Sequence, residues 1–198
     1  MTKLDWNVLD IDYQKEADRI AQRLREVTAR ELHKRGLVVA ISGGIDSSCS
    51  VALAVRALGP ERVFALILPE RDSSDDSAAR ANILASHLGI RVETVDIAPA
   101  LAAIGCYRAR DEAVRRALPE YGEGWRFKIV IEGGIDGQIN RFKLVAASPS
   151  GDAVERPLGL SEYLQIVAAT NFKQRIRKNL EYFHADRLNY AEKKKKNK

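Results

Sequence analysis

The stretch LVVAISGGIDSS, Leu37 to Ser48, contains the strand, the turn and the helix start from which the fold can be worked out. Leu37 to Ile41 is a continuous apolar run with β-branched residues, which is typical of a central parallel strand covered on both faces. The two glycines that follow can take positive φ, and they leave room for backbone N–H groups to converge on an anion. The stretch therefore predicts a phosphate-binding loop between a buried strand and a helix.

Helix and strand patterns alternate on both sides of this loop. We expect an amphipathic helix over residues 13–35, ended by Gly36, before the first strand. The patterns that follow the loop predict a helix over 47–58, a strand from Arg62 to Leu68, a helix over 75–88 and a strand from Arg91 to Ile97. This alternation predicts an α/β fold, a doubly wound parallel sheet with flanking helices and right-handed crossovers.

The regular alternation breaks after Pro99. We interpret residues of about 105–158 as an insertion, with a short helix from Tyr107 to Leu118 and a β-hairpin after it. The hairpin strands are expected at Phe127 to Glu132 and Arg141 to Ala147, joined by GGIDGQIN. From Ser161 to about Asn189 the pattern is helical again. We therefore predict a single domain over residues 1–191, followed by a disordered lysine tail over 192–198.

Composition and charge exclude several classes of protein. The 198 residues are enough for one domain. The net charge of +5 equals the charge of the five lysines in the tail, so the rest of the chain is neutral. We therefore expect no nucleic-acid partner. No apolar run approaches the roughly 18 residues that span a membrane, and the N-terminus lacks a secretory pattern, so we expect a cytoplasmic protein. Cys49 and Cys106 form no C-x-x-C pair, which gives no indication of zinc.

The loop differs from the two better-known glycine loops. The sequence has no GxxxxGK[ST] motif, whose lysine reaches the phosphates, and no GxGxxG motif for dinucleotides. Ser42, Ser47 and Ser48 add hydroxyl groups around the glycines. Asp46 has two interpretations, as a simple helix N-cap or as a Mg²⁺ ligand. We favour the second, because an aspartate near phosphates repels them unless a cation lies between.

The segment SGGIDSS resembles the SGGxDS signature of the PP-loop ATP pyrophosphatases, a superfamily with an adenine nucleotide alpha hydrolase-like fold. Two other segments, LPERDSSDDSAARANILASHLGI and ATNFKQRIRKNLEYFHADRLNY, resemble the NAD synthetase family within it. The resemblance implies that ATP adenylates the nicotinate carboxyl of deamido-NAD, with loss of pyrophosphate, and that ammonia then displaces AMP to form NAD. It also implies Mg²⁺, a homodimer, and free ammonia or a separate glutaminase as nitrogen source.

The resemblance also assigns residues to the site. Asp46 corresponds to the magnesium aspartate, Arg175 to an arginine that binds deamido-NAD, and Asn171 is a weaker candidate beside it. The ATP contacts are assigned to Ala40, Ile41, Ser42, Gly43, Gly44, Ile45, Asp46 and Ser47. No side-chain nucleophile is expected, since catalysis in such a site rests on positioning and charge stabilisation.

Helical spacing gives a separate prediction for the last helix. Phe172, Ile176, Leu180 and Phe183 recur at intervals of 4, 4 and 3, which predicts a buried stripe. Asn171, Arg175 and Lys178 would then share a flank that an anionic dinucleotide can contact, or that water solvates.

The sequence departs from the family pattern after Ala191. Members of the family continue there into a strand that ends in Gly-Thr and then a glutamate that ligates magnesium, whereas this sequence continues as EKKKKNK. Three explanations stay open: a truncated chain, a degenerate paralogue, or a subunit completed by a partner. Alternative functions are a PP-loop adenylating enzyme for another carboxylate or a tRNA base, and a nucleotide-binding module without catalysis.

Overall fold

The computed structural model describes residues 10–132 and 141–192, without the side chain at position 75. The chain forms two compact units. Among the described residues, the first comprises 10–97 and 177–192, and the second is Ala98–Ile176. The single domain over 1–191, with its insertion at about 105–158, stays a prediction. Residues 193–198 of the predicted lysine tail lie outside the described residues.

The first unit contains a parallel sheet with helices beside it. Its four strands are β1 (Leu37–Ala40), β2 (Val63–Ile67), β3 (Arg91–Thr94) and β7 (Ala191–Glu192), in the order β3-β2-β1-β7. Its helices are α1 (Tyr13–Glu26), which continues as a π-helical segment (Val27–Glu31), then α2 (Ile45–Leu58), a 3-10 turn (Pro60–Arg62), α3 (Asp75–Leu88) and the last part of α6 (Leu160–Leu188). The predicted α/β class is confirmed, and the strand β7 was not predicted.

The core of the first unit lies around β1 and β2. Every residue of β2 is buried, and Val38 and Val39 of β1 are almost inaccessible to water. Helices α2 and α3 pack here through small residues such as Ala54 and Ala81, which let helix and sheet approach closely. Burial of each Val, Leu or Ile side chain contributes about 1.5–3 kcal/mol to the stability of the fold. The apolar runs that predicted β1 and β2 therefore also supply the core.

The start of β1 depends on Gly36. A Cβ atom at this position would lie 2.3 Å from the carbonyl oxygen of Arg62 and 2.6 Å from the ring of Tyr190. The N–H of Ala191 donates to the carbonyl of Gly36 over 2.9 Å and begins the pairing of β7 with β1. A residue larger than glycine would push the two neighbours of β1 apart.

The second unit contains an antiparallel sheet and helices. Its elements are α4 (Ala98–Ala103), α5 (Cys106–Ala117), β4 (Arg126–Glu132), β5 (Arg141–Ala147), β6 (Ala153–Pro157) and the first part of α6 (Leu160–Leu188). Strands β4 and β5 pair as the predicted hairpin, and β6 adds a third strand that the sequence did not indicate. The turn GGIDGQIN, residues 133–140, lies outside the described residues. Leu144 and Ala146 of β5 face a core shared with Val114 and Ile166.

The buried side of α6 differs from the predicted stripe. Phe183 is 60% exposed, and Phe172, Ile176 and Leu180 are only half-buried. The buried residues of the helix are Ile166, Ala169, Lys173, Glu181, His184 and Ala185. The stripe prediction is therefore wrong by about a quarter turn of helix. It treated polar residues as exposed, whereas three of the buried positions are polar side chains with partners.

None of the helices in the described ranges has both the length and the apolar composition needed to cross a bilayer.

His184 shows how a buried polar side chain of α6 is accommodated. Its ring stacks on Phe64, with centroids 5.1 Å apart. Arg187 donates from Nε and Nη2 to His184 Nδ1 over 3.0 and 2.8 Å. Because a guanidinium has only donors, Nδ1 accepts and the neutral ring carries its proton on Nε2, 3.8 Å from the Glu93 carboxylate. Burial lowers the pKa of His184, and this outweighs the opposing effect of Glu93.

We predict that the stability of the protein falls as the pH drops below about 6.5, the usual pKa of histidine. The unfolded chain then takes up a proton at position 184 that the folded chain resists, so the stabilisation is present above this pH and lost below it. Urea unfolding between pH 8 and pH 5 measures the effect. His184→Gln should have a shallower pH dependence, and His87→Gln, at an exposed site, should keep that of the wild type. Equal pH dependence in all three proteins would contradict the prediction.

Candidate functional site

The candidate site is the loop between β1 and α2. Ala40 is the last residue of β1, and the N–H of the buried Ile41 still donates to the carbonyl of Leu66 in β2 over 2.9 Å. The chain then leaves the sheet at Ser42 and turns, and α2 begins at Ile45 with Gly44 as its N-cap residue. The loop therefore lies at the carboxyl edge of the parallel sheet, where open α/β folds bind their ligands.

Gly43 makes this turn possible. Its φ is +72°, a conformation that side chains disfavour, and a Cβ atom would lie 2.5 Å from the carbonyl oxygen of Ser77 in α3. The same point lies 3.1 Å from the Cβ atom of Arg80. Helix α3 thus packs directly against the loop backbone. Neither Ser77 nor Arg80 was predicted from the sequence, since their contact with the loop depends on the packing of α3.

Serine hydroxyls hold the loop in shape. Ser47 Oγ donates to the carbonyl of Gly44 over 2.9 Å and accepts the N–H of Ser42 over 3.2 Å. Ser48 Oγ also donates to the Gly44 carbonyl, over 2.9 Å. These two hydroxyls therefore act within the loop, and the groups that it offers to an anion are mainly its backbone amides.

The amides at the start of α2 point out of the helix. The first bond of the helical ladder runs from the N–H of Ser48 to the carbonyl of Gly44, over 3.1 Å. The N–H groups of Ile45, Asp46 and Ser47 precede this ladder, as the first amides of any helix do. Together with the positive end of the helix dipole they form a surface that suits phosphate.

Asp46 does not cap the helix. Gly44 takes the N-cap position, and Asp46 lies inside the first turn with an exposed carboxylate. The interpretation of Asp46 as an N-cap is therefore wrong. Within residues 10–132 and 141–192, no group of three or more His, Cys, Asp or Glu side chains is placed to hold a metal ion. Mg²⁺ is commonly held by one or two carboxylates together with substrate phosphates, so a single carboxylate at a phosphate loop fits this ion.

Arg175 and Asn171 belong to α6 in the second unit, whereas the loop belongs to the first. Both side chains are exposed, and they lie one helical turn apart on the same face. Their role in binding deamido-NAD stays a prediction.

Lys178, which the sequence placed on the same flank, is instead held by two carboxylates. Its Nζ donates to Glu181 and Glu192 over 2.6 and 2.7 Å. Partial burial acts to lower the pKa of Lys178, but the two hydrogen bonds outweigh it and the pKa is raised. These bonds also tie α6 to the end of β7. Lys178 therefore has a structural role in the first unit.

Comparison with known protein families matches residues 16–120 to the family described as NAD synthase. Among curated relatives, an NH(3)-dependent NAD(+) synthetase of Rhizobium meliloti is 50% identical over 93% of this chain and 55% of its own length. That of Thermotoga maritima is 38% identical over 81% of this chain and 52% of its own length. The chain spans about half the length of the curated relatives it matches.

Two solved structures share the fold at low sequence identity. An NH3-dependent NAD synthetase from Campylobacter jejuni has a TM-score of 0.57 and 22% identity, and the match covers 91% of this chain and 55% of that one. An NAD+ synthetase from Burkholderia pseudomallei has a TM-score of 0.54 and 21% identity, with 92% and 62% covered. The arrangement of strands and helices is thus shared with both.

We predict that Gly43→Ala destabilises the protein by several kcal/mol, because it adds the clash with Ser77 to the cost of a positive φ. Gly89→Ala is the matched control, since Gly89 has φ +64° at the end of α3 and open space around it. That variant should lose only about 1–2 kcal/mol. Urea unfolding measures both free energies, and equal losses would show that α3 does not hold the loop as described.

Proposed function

The chain belongs to the NAD synthase family, and on that basis we propose that it binds ATP and catalyses, alone or as part of a longer protein, the formation of NAD from deamido-NAD and ammonia. The observation that carries the proposal is the loop at the carboxyl edge of the sheet, with Gly43 packed against α3 and the amides of α2 directed outwards. Two relatives described above are named as NH(3)-dependent NAD(+) synthetases, which favours this substrate over another carboxylate or a tRNA base.

In the proposed reaction, a carboxylate oxygen of deamido-NAD attacks the α-phosphorus of ATP and pyrophosphate leaves. Ammonia then attacks the adenylated carbonyl, the amide forms and AMP leaves. The loop amides and the dipole of α2 stabilise the charge that develops on the leaving pyrophosphate. The residues proposed to contact ATP are Ala40, Ile41, Ser42, Gly43, Gly44, Ile45, Asp46 and Ser47.

Asp46 is the proposed ligand of Mg²⁺. Its carboxylate is exposed and lies one residue into α2, beside the outward-directed amides. When bound, Mg²⁺ supplies charge neutralisation to the phosphates of ATP.

Arg175 and Asn171 are proposed to bind deamido-NAD. A guanidinium has paired donors that match phosphate oxygens, and an amide can hydrogen-bond to ribose or phosphate. The exposure of both side chains supports such a contact. We further propose a cytoplasmic homodimer, which receives ammonia directly or from a separate glutaminase.

Incubation of the chain with ATP, Mg²⁺, deamido-NAD and ammonium is expected to yield AMP, pyrophosphate and NAD. Chromatography of the nucleotides measures the products. Production of ADP and phosphate by the purified chain would contradict the proposed chemistry, because pyrophosphate release is its defining step.

Asp46→Asn is expected to lower kcat/KM for ATP roughly a hundredfold, because the metal supplies several kcal/mol of charge stabilisation. Asp186→Asn removes an exposed carboxylate from α6 and serves as the charge-matched control with unchanged kinetics. If both variants turn over ATP at the wild-type rate, Asp46 is not the metal ligand.

Arg175→Gln is expected to weaken the binding of deamido-NAD about tenfold, or about 1.4 kcal/mol, and to leave the Kd of ATP unchanged. Arg30→Gln, an exposed arginine of the π-helical segment, is the control. Isothermal titration calorimetry with each ligand separates the two effects. If Arg175→Gln and Arg30→Gln bind deamido-NAD with the same affinity, Arg175 is not part of the deamido-NAD site.

A further inference from the structure

The loop between β1 and α2 contains no positively charged side chain. Residues 40–48 include no lysine or arginine, and Asp46 adds a negative charge where ATP adds several more. In P-loop enzymes a lysine of the motif reaches the phosphates, and this sequence lacks that lysine. A metal ion compensates part of the charge. A cationic side chain from a neighbouring element would compensate more.

Arg80 of α3 lies in the right place. Its Cβ atom is 3.1 Å from the position that a Cβ of Gly43 would occupy, so α3 carries this side chain directly onto the loop. Helix α2 follows β1 and α3 follows β2, and these two strands are parallel neighbours. Both helices therefore begin at the carboxyl edge of the sheet, beside the loop amides.

The guanidinium of Arg80 is directed towards that edge. Side chains of a helix lean towards its N-terminus, and Arg80 Nε donates to the carbonyl of Asp76, one turn earlier, over 3.3 Å. Its Nη2 lies 3.9 Å from the Asp76 carboxylate, with the two side chains 61% and 84% exposed. An exposed ion pair this long contributes little stability, so the guanidinium can exchange it for a phosphate.

We propose that Arg80 binds the phosphates of ATP that leave as pyrophosphate, in the role that a lysine has in P-loop enzymes. The backbone carbonyl of Asp76 orients the guanidinium before ATP binds, and the Asp76 carboxylate competes with the phosphates for it. A guanidinium can contact two phosphate oxygens at once, which suits a pyrophosphate group. This inference rests on the proposed function, because it takes the loop as the ATP site.

A purely structural role for Arg80 predicts a different result. As an ion pair between residues four apart on α3, Arg80 and Asp76 would stabilise the helix slightly. Removing either partner would then give the same small change in thermal stability and no change in ligand binding. A ligand-binding role predicts that the two substitutions change anion affinity in opposite directions.

The test is calorimetric titration of the wild type and variants with ATP, inorganic pyrophosphate and adenosine, each in the presence of Mg²⁺. Arg80→Gln should weaken the binding of ATP and pyrophosphate about tenfold, with adenosine unaffected. The affinity of Arg80→Lys for ATP and pyrophosphate should lie between those of the wild type and Arg80→Gln, because an ammonium keeps the charge and loses the bidentate contact. Asp76→Asn should tighten pyrophosphate binding, since it removes a competing carboxylate.

Arg56→Gln is the matched control, because Arg56 lies in the last turn of α2 and pairs with Asp18, at the end of the helix far from the loop. Its ligand affinities should equal those of the wild type. If the wild type binds ATP and Arg80→Gln binds pyrophosphate as tightly as the wild type does, the role of Arg80 is overturned and the proposed function stands. If the wild type binds neither ATP nor pyrophosphate, both are overturned.

Discussion

The contact between the backbone at Gly43 and the carbonyl oxygen of Ser77 sets the geometry on which the site depends. A side chain at Gly43 would reach to 2.5 Å from that oxygen, so α3 can rest on the loop only because the residue is glycine. The positive φ at Gly43 then turns the chain from β1 into α2 within four residues. This contact places the first part of α3 directly against the loop at the carboxyl edge of the sheet.

The chemistry of the site follows from that arrangement. The hydroxyls of Ser47 and Ser48 are bound to the Gly44 carbonyl and fix the shape of the loop. The amides at the start of α2 remain directed outwards and supply partial positive charge without a net charge. In the proposed reaction these preorganised dipoles stabilise the leaving pyrophosphate, and we propose that full charges are added by a metal ion at Asp46 and by Arg80.

The sequence predicted the fold well where one physical signal dominated. The apolar runs of β1 and β2 lie between two covered faces, and the break at the two glycines marked the loop. It failed where partners decide the outcome. On α6, His184 and Glu181 are buried because Arg187 and Lys178 accompany them, while Phe183 is exposed. The sequence also did not predict the contact of Arg80 with the loop, because that contact depends on how α3 packs against residues about 40 positions earlier in the chain.

The most direct test of the loop as the pyrophosphate-binding element is the response of its backbone amides to ATP. In ¹H–¹⁵N spectra of the labelled chain, titration with ATP and Mg²⁺ should shift the resonances of Gly43, Gly44, Ile45, Asp46 and Ser47 in a saturable way. Adenosine should shift them much less, because it carries no phosphate. If ATP binds while the resonances of these five amides do not move, the loop between β1 and α2 is not the pyrophosphate-binding element.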